Sequence, residues 1–478
     1  MPGETPSWNQ VLSEFKKIWG YDDFRPPQGE IIRSLISKKD ALIIMPTGGG
    51  KSICFQLPAL LETGVTLVIS PLVALMENQV QELRQRNLPA SLLHSELSSA
   101  KKREILRDLE SQKLKLLYLS PETLLSLPVW EKLCQPQLKI NGLILDEAHC
   151  LVQWGDTFRP AYRRLGKVRP TLLKFKPPGT KICIASFTAT ADLQAQKIIQ
   201  EVLELQQPDI FKINPYRSNL NLQVRIAWTP QGRKQQLLKF IQNHPNTGLI
   251  YVRSRRDSEN LAIWLQKFSY STAAYHAGLN AEERRKIEND WLSGKMPFVV
   301  CTCAFGMGIN KPDVRWVIHF HAPHLLSEYV QEIGRAGRDG KLAQALTLIS
   351  EPTGWLDSED KQRQSFFEQK MRSTQQQAQE LIKKLPKNGD VNTVIKQFPD
   401  AGVALSLLHS SGKLNWIDPF HYTIVSGTGN KSTQEFHSVK QMNQYFFTKQ
   451  CRWQFLLNAF GFNQEAMNLR CGHCDNCR

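Results

Sequence analysis

Residues 41–62 read ALIIMPTGGGKSICFQLPALLE. The apolar run ALIIM reads as a strand, PTGGGKS as a loop, and the remainder as a helix. Glycines 48–50 let backbone N–H groups curl around a phosphate, and the helix N-terminus adds the positive end of its dipole. Thr47, Gly48, Gly49 and Gly50 then line a phosphate cradle. Lys51 is placed to meet the β/γ-phosphates of ATP, and Ser52 to ligate Mg²⁺ through its hydroxyl. The usual expression has glycine where this chain has Met45. A strand running into such a loop and helix is one unit of a parallel sheet, so further units are expected on either side.

They follow. VTLVIS (65–70), LKLLYLS (114–120), INGLILDE (140–147) and KICIASF (181–187) form one series with ALIIM. GLIYVRS (248–254), STAAYHA (271–277), FVVCTC (298–303), VRWVIHF (314–320) and ALTLIS (345–350) form a second. Charged stretches of helical length separate most of them. Buried runs alternating with amphipathic helices predict an α/β protein with two parallel sheets, each covered on both faces. The pattern restarts near 207, so the first lobe is expected over 1–207 and the second over 208–350.

The strand GLIL ends in DEAH (146–149), and parallel sheets place ligand-binding residues at such strand ends. Asp146 is expected to hold Mg²⁺, and Glu147 to orient and deprotonate the attacking water. The second series ends in QEIGRAGR (331–338). Phosphoryl transfer spreads negative charge over the γ-phosphate, and an arginine from another domain stabilises it. Arg338 is the candidate finger, Arg335 its companion, and Gln331 a candidate for water or nucleotide sensing. Together the three strings describe a split ATP site.

With 60 Lys+Arg against 44 Asp+Glu, the net charge of +16 points to an anionic partner. No apolar run approaches the roughly 20 residues of a membrane span, and no secretory signal is visible at the start. Trp154, Phe158 and Arg159 lie in CLVQWGDTFRPAYRRL (150–165). Two flat rings and a guanidinium suit a single strand, stacking being worth about 1–3 kcal/mol per base. Four of the ten cysteines fall in the last 28 residues, as Cys451, Cys471, Cys474 and Cys477. Tight C-x2-C turns suit a closed tetrahedral zinc site, with His473 an alternative ligand inside the cluster. Between the second lobe and these cysteines, 373–425 reads as three helices followed by a hairpin turning at Asp418-Pro419, the order of a winged helix. Trp416 and His421 are its candidate wing residues.

On these motifs the chain resembles the superfamily 2 helicases, and specifically the RecQ family, over about 8–350 and again at 451–478. The resemblance implies two tandem RecA-like lobes and a helical zinc-binding module, here expected over 441–478, while the linker and winged-helix-like segment expected over 351–440 rests on its own pattern of apolar residues. It implies that GYDDFRPPQ (20–28) reads adenine, with Gln28 on the base edge and Tyr21 and Arg25 against its faces. SPLVALMENQV (70–80), YLSPE (118–122), YHAGL (275–279) and CTCAFGMGINKPDVR (301–315) resemble strand-contacting segments. SFTATA (186–191) resembles the element linking the ATP site to that track, and 150–165 the aromatic-rich coupling loop. The implied activity is 3′→5′ ATP-dependent unwinding of DNA in recombination and repair, with ATP, Mg²⁺ and Zn²⁺. Single-stranded and duplex or forked DNA are the implied substrates, a single-strand-binding protein a candidate partner, and a monomer the expected state. The bacterial cytoplasm, at the nucleoid, is the simplest compartment. Two departures stand out: Asn310 replaces a frequent aspartate, and the winged segment precedes the zinc module. The winged segment is compatible with duplex DNA binding and with partner support alike. An RNA helicase of the same superfamily and a DNA-binding or annealing scaffold with a weak ATPase are the competing readings.

Overall fold

The computed structural model describes residues 6–46, 48–305, 311–425 and 434–478. Thr47 and Asn310 therefore lie outside the described residues. The chain forms two compact units, 1–213 with 373–432, and 214–372 with 433–478.

The first unit contains a seven-stranded parallel sheet. Its order is Ala90–Leu93, Leu116–Leu119, Val65–Ile69, Ile140–Leu145, Cys183–Thr188, Ala41–Ile44, Asp209–Lys212. The five central strands are fully buried, as continuous apolar runs between two helical layers must be. The two edge strands escaped the sequence reading. Ala90–Leu93 is a short run behind a proline, and Asp209–Lys212 alternates half-buried with exposed residues, so neither is a continuous apolar run. Because Asp209–Lys212 pairs with Ala41–Ile44, the first lobe runs past the expected boundary at 207 to Ile213.

The second unit holds a six-stranded parallel sheet, ordered Ala274–Tyr275, Phe298–Cys301, Gly248–Tyr251, Trp316–His319, Ala343–Ser350, Leu220–Ala227. Leu220–Ala227 is again an edge strand of mixed pattern and not a continuous apolar run. The zinc module closes that edge. Asp475 N donates to Leu222 O, and Asp475 Oδ2 accepts from Val224 N at 2.7 Å. Trp453 Nε1 donates to Leu220 O, and its ring joins the core of this lobe with Leu456 and Leu457. Tyr445, on the helix Gln434–Phe447, donates to the hydroxyl of Tyr329 at 2.8 Å. That helix starts at Gln434, ahead of the expected module start at 441.

In the winged-helix segment the first expected helix is the end of a longer one, Glu359–Ile382, followed by the expected Val391–Gln397 and Ala401–Ser410 and the hairpin Leu414–Trp416 with His421–Ile424. A third strand, Asn388–Asp390, completes a small antiparallel sheet. Its core is its own: Val391, Val394, Leu405, Leu408, Trp416 and Tyr422 are buried together. Trp416 is therefore a core residue, and only His421 of the two wing candidates is exposed. This segment belongs to the first unit and not to the unit that holds the zinc module.

Candidate ATP site, strand-contacting loop and metal centre

The phosphate loop lies between Ala41–Ile44 and the helix Lys51–Leu61. Gly48 and Gly50 adopt φ +84° and +79°, a left-handed conformation that side-chain-bearing residues avoid. A Cβ on Gly50 would sit 2.3 Å from Gln28 Nε2, so the glycine also admits the glutamine. Gln28 is buried. Its Oε1 accepts from Arg25 N at 3.0 Å, and its Nε2 donates to Gly49 O and Gly50 O. Arg25 stands exposed beside it, and Tyr21 is exposed and tilted against Phe15. The segment 20–28 and the loop are thus joined directly.

Behind the loop, Lys51 Nζ lies 3.5 Å from Glu147 Oε1 and is buried without a hydrogen-bond acceptor. Glu147 supplies counter-charge but no hydrogen bond, so the donors of this desolvated ammonium stay open to an oxygen acceptor, and a nucleotide phosphate fits that need. Ser52 occupies the first helical turn. Asp146 is buried at the end of Ile140–Leu145 and accepts from Gln79 Nε2 at 2.9 Å. Burial, then the charge of Glu147, pushes the Asp146 carboxyl above its ordinary range. Burial alone would raise Glu147 too, but Lys51 and His149 outweigh it and hold Glu147 low. His149 Nδ1 stands 3.3 Å from Glu147 Oε2 and 3.2 Å from Thr188 Oγ1. That chain ties DEAH to SFTATA through one imidazole. The Gln79–Asp146 bond and the His149–Thr188 contact join segments 67 and 39 residues apart, so neither is visible in the motifs themselves.

The loop after DEAH begins as the helix His149–Trp154 and ends in the 3-10 helix Pro160–Lys167. Trp154 and Phe158 meet edge to face at 5.7 Å. Phe158 is 69% exposed, whereas Trp154 packs partly against the core of the lobe. The two rings are therefore not equivalent platforms. Arg159 is engaged, with Nη1 2.8 Å from Glu122 Oε2 of the YLSPE segment. A strand phosphate would have to replace that carboxylate.

In the second unit, Gln331 lies on the helix Leu326–Ile333, and Arg335 and Arg338 follow it, all half-buried. Glu332 between them is the anchor that the motif alone did not reveal. Its carboxylate accepts both Arg253 Nη atoms, at 3.1 and 2.6 Å, and lies 3.0 Å from His319 Nε2. Arg253 also donates to His321 O. The helix bearing the arginine motif is thereby bolted to the ends of two strands.

The Sγ atoms of Cys451, Cys471, Cys474 and Cys477 all lie within 4.8 Å of one another. Four zinc-bound thiolates, with Zn–S near 2.3 Å, stand about 3.8 Å apart, so the cluster fits one tetrahedral ion. Backbone N–H groups of Cys471, Cys474 and Arg452 point at sulfur atoms of the set, as thiolates require. His473 is outside it, 3.3 Å from the Tyr216 hydroxyl.

The DEAD/DEAH box helicase family matches residues 25–198, the helicase conserved C-terminal domain 232–340, and the RecQ zinc-binding family 417–478. The ATP-dependent DNA helicase RecQ of Synechocystis sp. is 52% identical over 472 residues, 98% of each chain. That match leaves no room to omit the winged segment. The probable ATP-dependent DNA helicase RecS of Bacillus subtilis is 38% identical over 341 residues, 71% of this chain and 66% of that one. Among solved structures, the Mycobacterium smegmatis helicase Lhr bound to single-stranded DNA and AMP-PNP has a TM-score of 0.59 and 18% identity. It covers 90% of this chain and 61% of that chain, and supports the fold alone. With two parallel-sheet lobes, a four-cysteine cluster and a relative this similar along its whole length, the chain belongs to the RecQ family of ATP-dependent DNA helicases.

Proposed function

We propose that this helicase moves 3′→5′ along one DNA strand and separates the duplex ahead of it. The observation that carries the reading of the ATP site is the buried, acceptor-less ammonium of Lys51 beside Glu147. Lys51 holds the β/γ-phosphates, the N–H groups of 48–50 cradle them, and Gln28, Tyr21 and Arg25 hold the base. The adjacent carboxylates of buried Asp146 and half-buried Glu147 share one lysine, and a divalent cation offsets the excess charge. Asp146 and Ser52 would hold that Mg²⁺, which neutralises charge on the phosphates when bound. Glu147, oriented by Lys51 and His149, takes the proton of the attacking water. Gln331, Arg335 and Arg338 of the second lobe serve the same nucleotide, with Arg338 stabilising charge on the transferred group.

The 150–165 loop senses the strand: Phe158 offers the open stacking face, Trp154 supports it, and Arg159 exchanges Glu122 for phosphate. Zinc on the four cysteines supports the fold of the second lobe and takes no part in hydrolysis. We read the chain as a monomer working on forked or single-stranded DNA in repair and recombination, at the bacterial nucleoid.

The test is ATP hydrolysis with single-stranded DNA, duplex DNA and RNA at one stated salt concentration, since phosphate contacts are screened. Strong stimulation by single-stranded DNA supports the reading. Equal stimulation by RNA would favour an RNA motor. Hydrolysis indifferent to all three would remove the assigned role of the loop.

A further inference from the structure

The winged segment lies against the strand-sensing loop, and it does so with the very parts that such a domain would otherwise present to a duplex. Ser410 Oγ, at the end of Ala401–Ser410, donates to Asp156 Oδ1 at 2.5 Å. Asp156 also receives Arg163 Nε at 2.8 Å, so one loop carboxylate is held from both sides. Ser406 Oγ donates to Pro160 O at 3.4 Å. From the tip of the wing, Pro419 O accepts from Arg164 Nη1 at 3.2 Å. Phe420 leaves the core of its own segment, packs edge to face on Trp130 at 5.1 Å, and is buried in the core of the first lobe.

A wing that enters a groove needs its tip free. Here the backbone and the aromatic side chain of the tip are both committed to the first lobe. The contacts reach 156, 160 and 164 but leave Phe158 open. That arrangement holds the loop from behind without covering its stacking face.

We infer that the winged segment is a brace for the strand-sensing loop, with Ser410 and Phe420 as positioning residues that hold 154–164 in the conformation that reads single-stranded DNA. The inference rests on the reading of that loop as the sensor. A braced loop meets the strand without first being ordered, and loss of the brace appears as weaker strand sensing with intact nucleotide chemistry.

The experiment compares Ser410→Ala, Ser410→Thr and Phe420→Ala in the full chain, titrating ATP hydrolysis with single-stranded DNA. For Ser410→Ala, the DNA concentration for half-maximal stimulation should rise roughly tenfold, the scale of one hydrogen bond to a charged group. Hydrolysis without DNA should stay unchanged, and Ser410→Thr should restore the normal value. Phe420→Ala should behave like Ser410→Ala or worse; if it fails to fold, the serine pair still decides. An unchanged titration for Ser410→Ala overturns the brace. A rise of DNA-free hydrolysis to the stimulated level also overturns it, because the contact would then hold the loop off. Phe158→Ala separates the two readings. If it abolishes stimulation while Ser410→Ala does nothing, the brace fails alone; if it too has no effect, the sensor reading fails and takes the brace with it.

Discussion

Glu147 sits at φ +51°, a left-handed conformation that costs a residue with a Cβ on the order of 1 kcal/mol. The cost is sustained because its carboxylate is held between Lys51 and His149. Glu147→Gln should keep nucleotide binding and lower hydrolysis about 10²- to 10⁴-fold, the scale of a lost general base, as read in single-turnover assays. Lys51→Ala should abolish hydrolysis; near-normal turnover would overturn the assignment of the loop. In the second lobe, Glu332 is fully buried against Arg253 and His319. Glu332→Gln leaves Arg253 short of its counter-charge and should cost roughly 3–5 kcal/mol of stability, measurable by denaturant unfolding. Burial alone would raise the Glu332 carboxyl, but Arg253, then His319, hold it down at about 2 against an ordinary 4.5. The folded value lies below the unfolded one, so this stabilisation is complete above about pH 5 and fades as pH falls towards 2. An acid titration of the glutamine variant should lack that component.

At the scale of elements, the zinc module acts as a cover for an exposed sheet edge. Leu220–Ala227 would otherwise present unpaired backbone groups, and Asp475 and Trp453 satisfy three of them at Leu220, Leu222 and Val224. Asp475 also pairs with Arg452 Nε at 2.6 Å, next to Cys451. Removing the metal therefore loosens the edge strand as well as the cysteines. Chelation, or Cys474→Ser, should release stoichiometric zinc and lower the thermal midpoint of the second lobe in calorimetry. A chelated protein with an unchanged midpoint would show that the module needs no metal. Trp416→Ala should cost about 3–5 kcal/mol in the winged segment, as core aromatics do, and so cannot report on DNA contact.

At the scale of the whole molecule, a net charge of +16 makes strand binding largely a matter of displaced counterions. The DNA concentration for half-maximal ATPase should rise steeply with salt, with a log–log slope near 0.7 per contacted phosphate for single strands. A flat response would mean that stacking on Phe158 carries the binding alone. No described helix is long and apolar enough to cross a membrane.

The chemistry-bearing strings were legible in the order of residues because each is local. A phosphate cradle needs glycines and a lysine within one turn, and a zinc site needs cysteines at turn spacing. Continuous apolar runs likewise marked the interior strands, since both of their faces are buried. The edge strands Asp209–Lys212 and Leu220–Ala227 were not legible, because a half-covered strand mixes polar and apolar residues and borrows its stability from neighbours distant in the chain. The same holds for Gln79 on Asp146, His149 between Glu147 and Thr188, and Glu332 under Arg253. Only the fold decided that Trp416 faces inward, that His473 stands aside from the four sulfurs, and that the wing's Phe420 enters the first lobe. Trp416 turns inward through the pairing of its own hairpin, while His473 and Phe420 are placed by Tyr216 and Trp130, partners far away in the chain that leave no local pattern to be read.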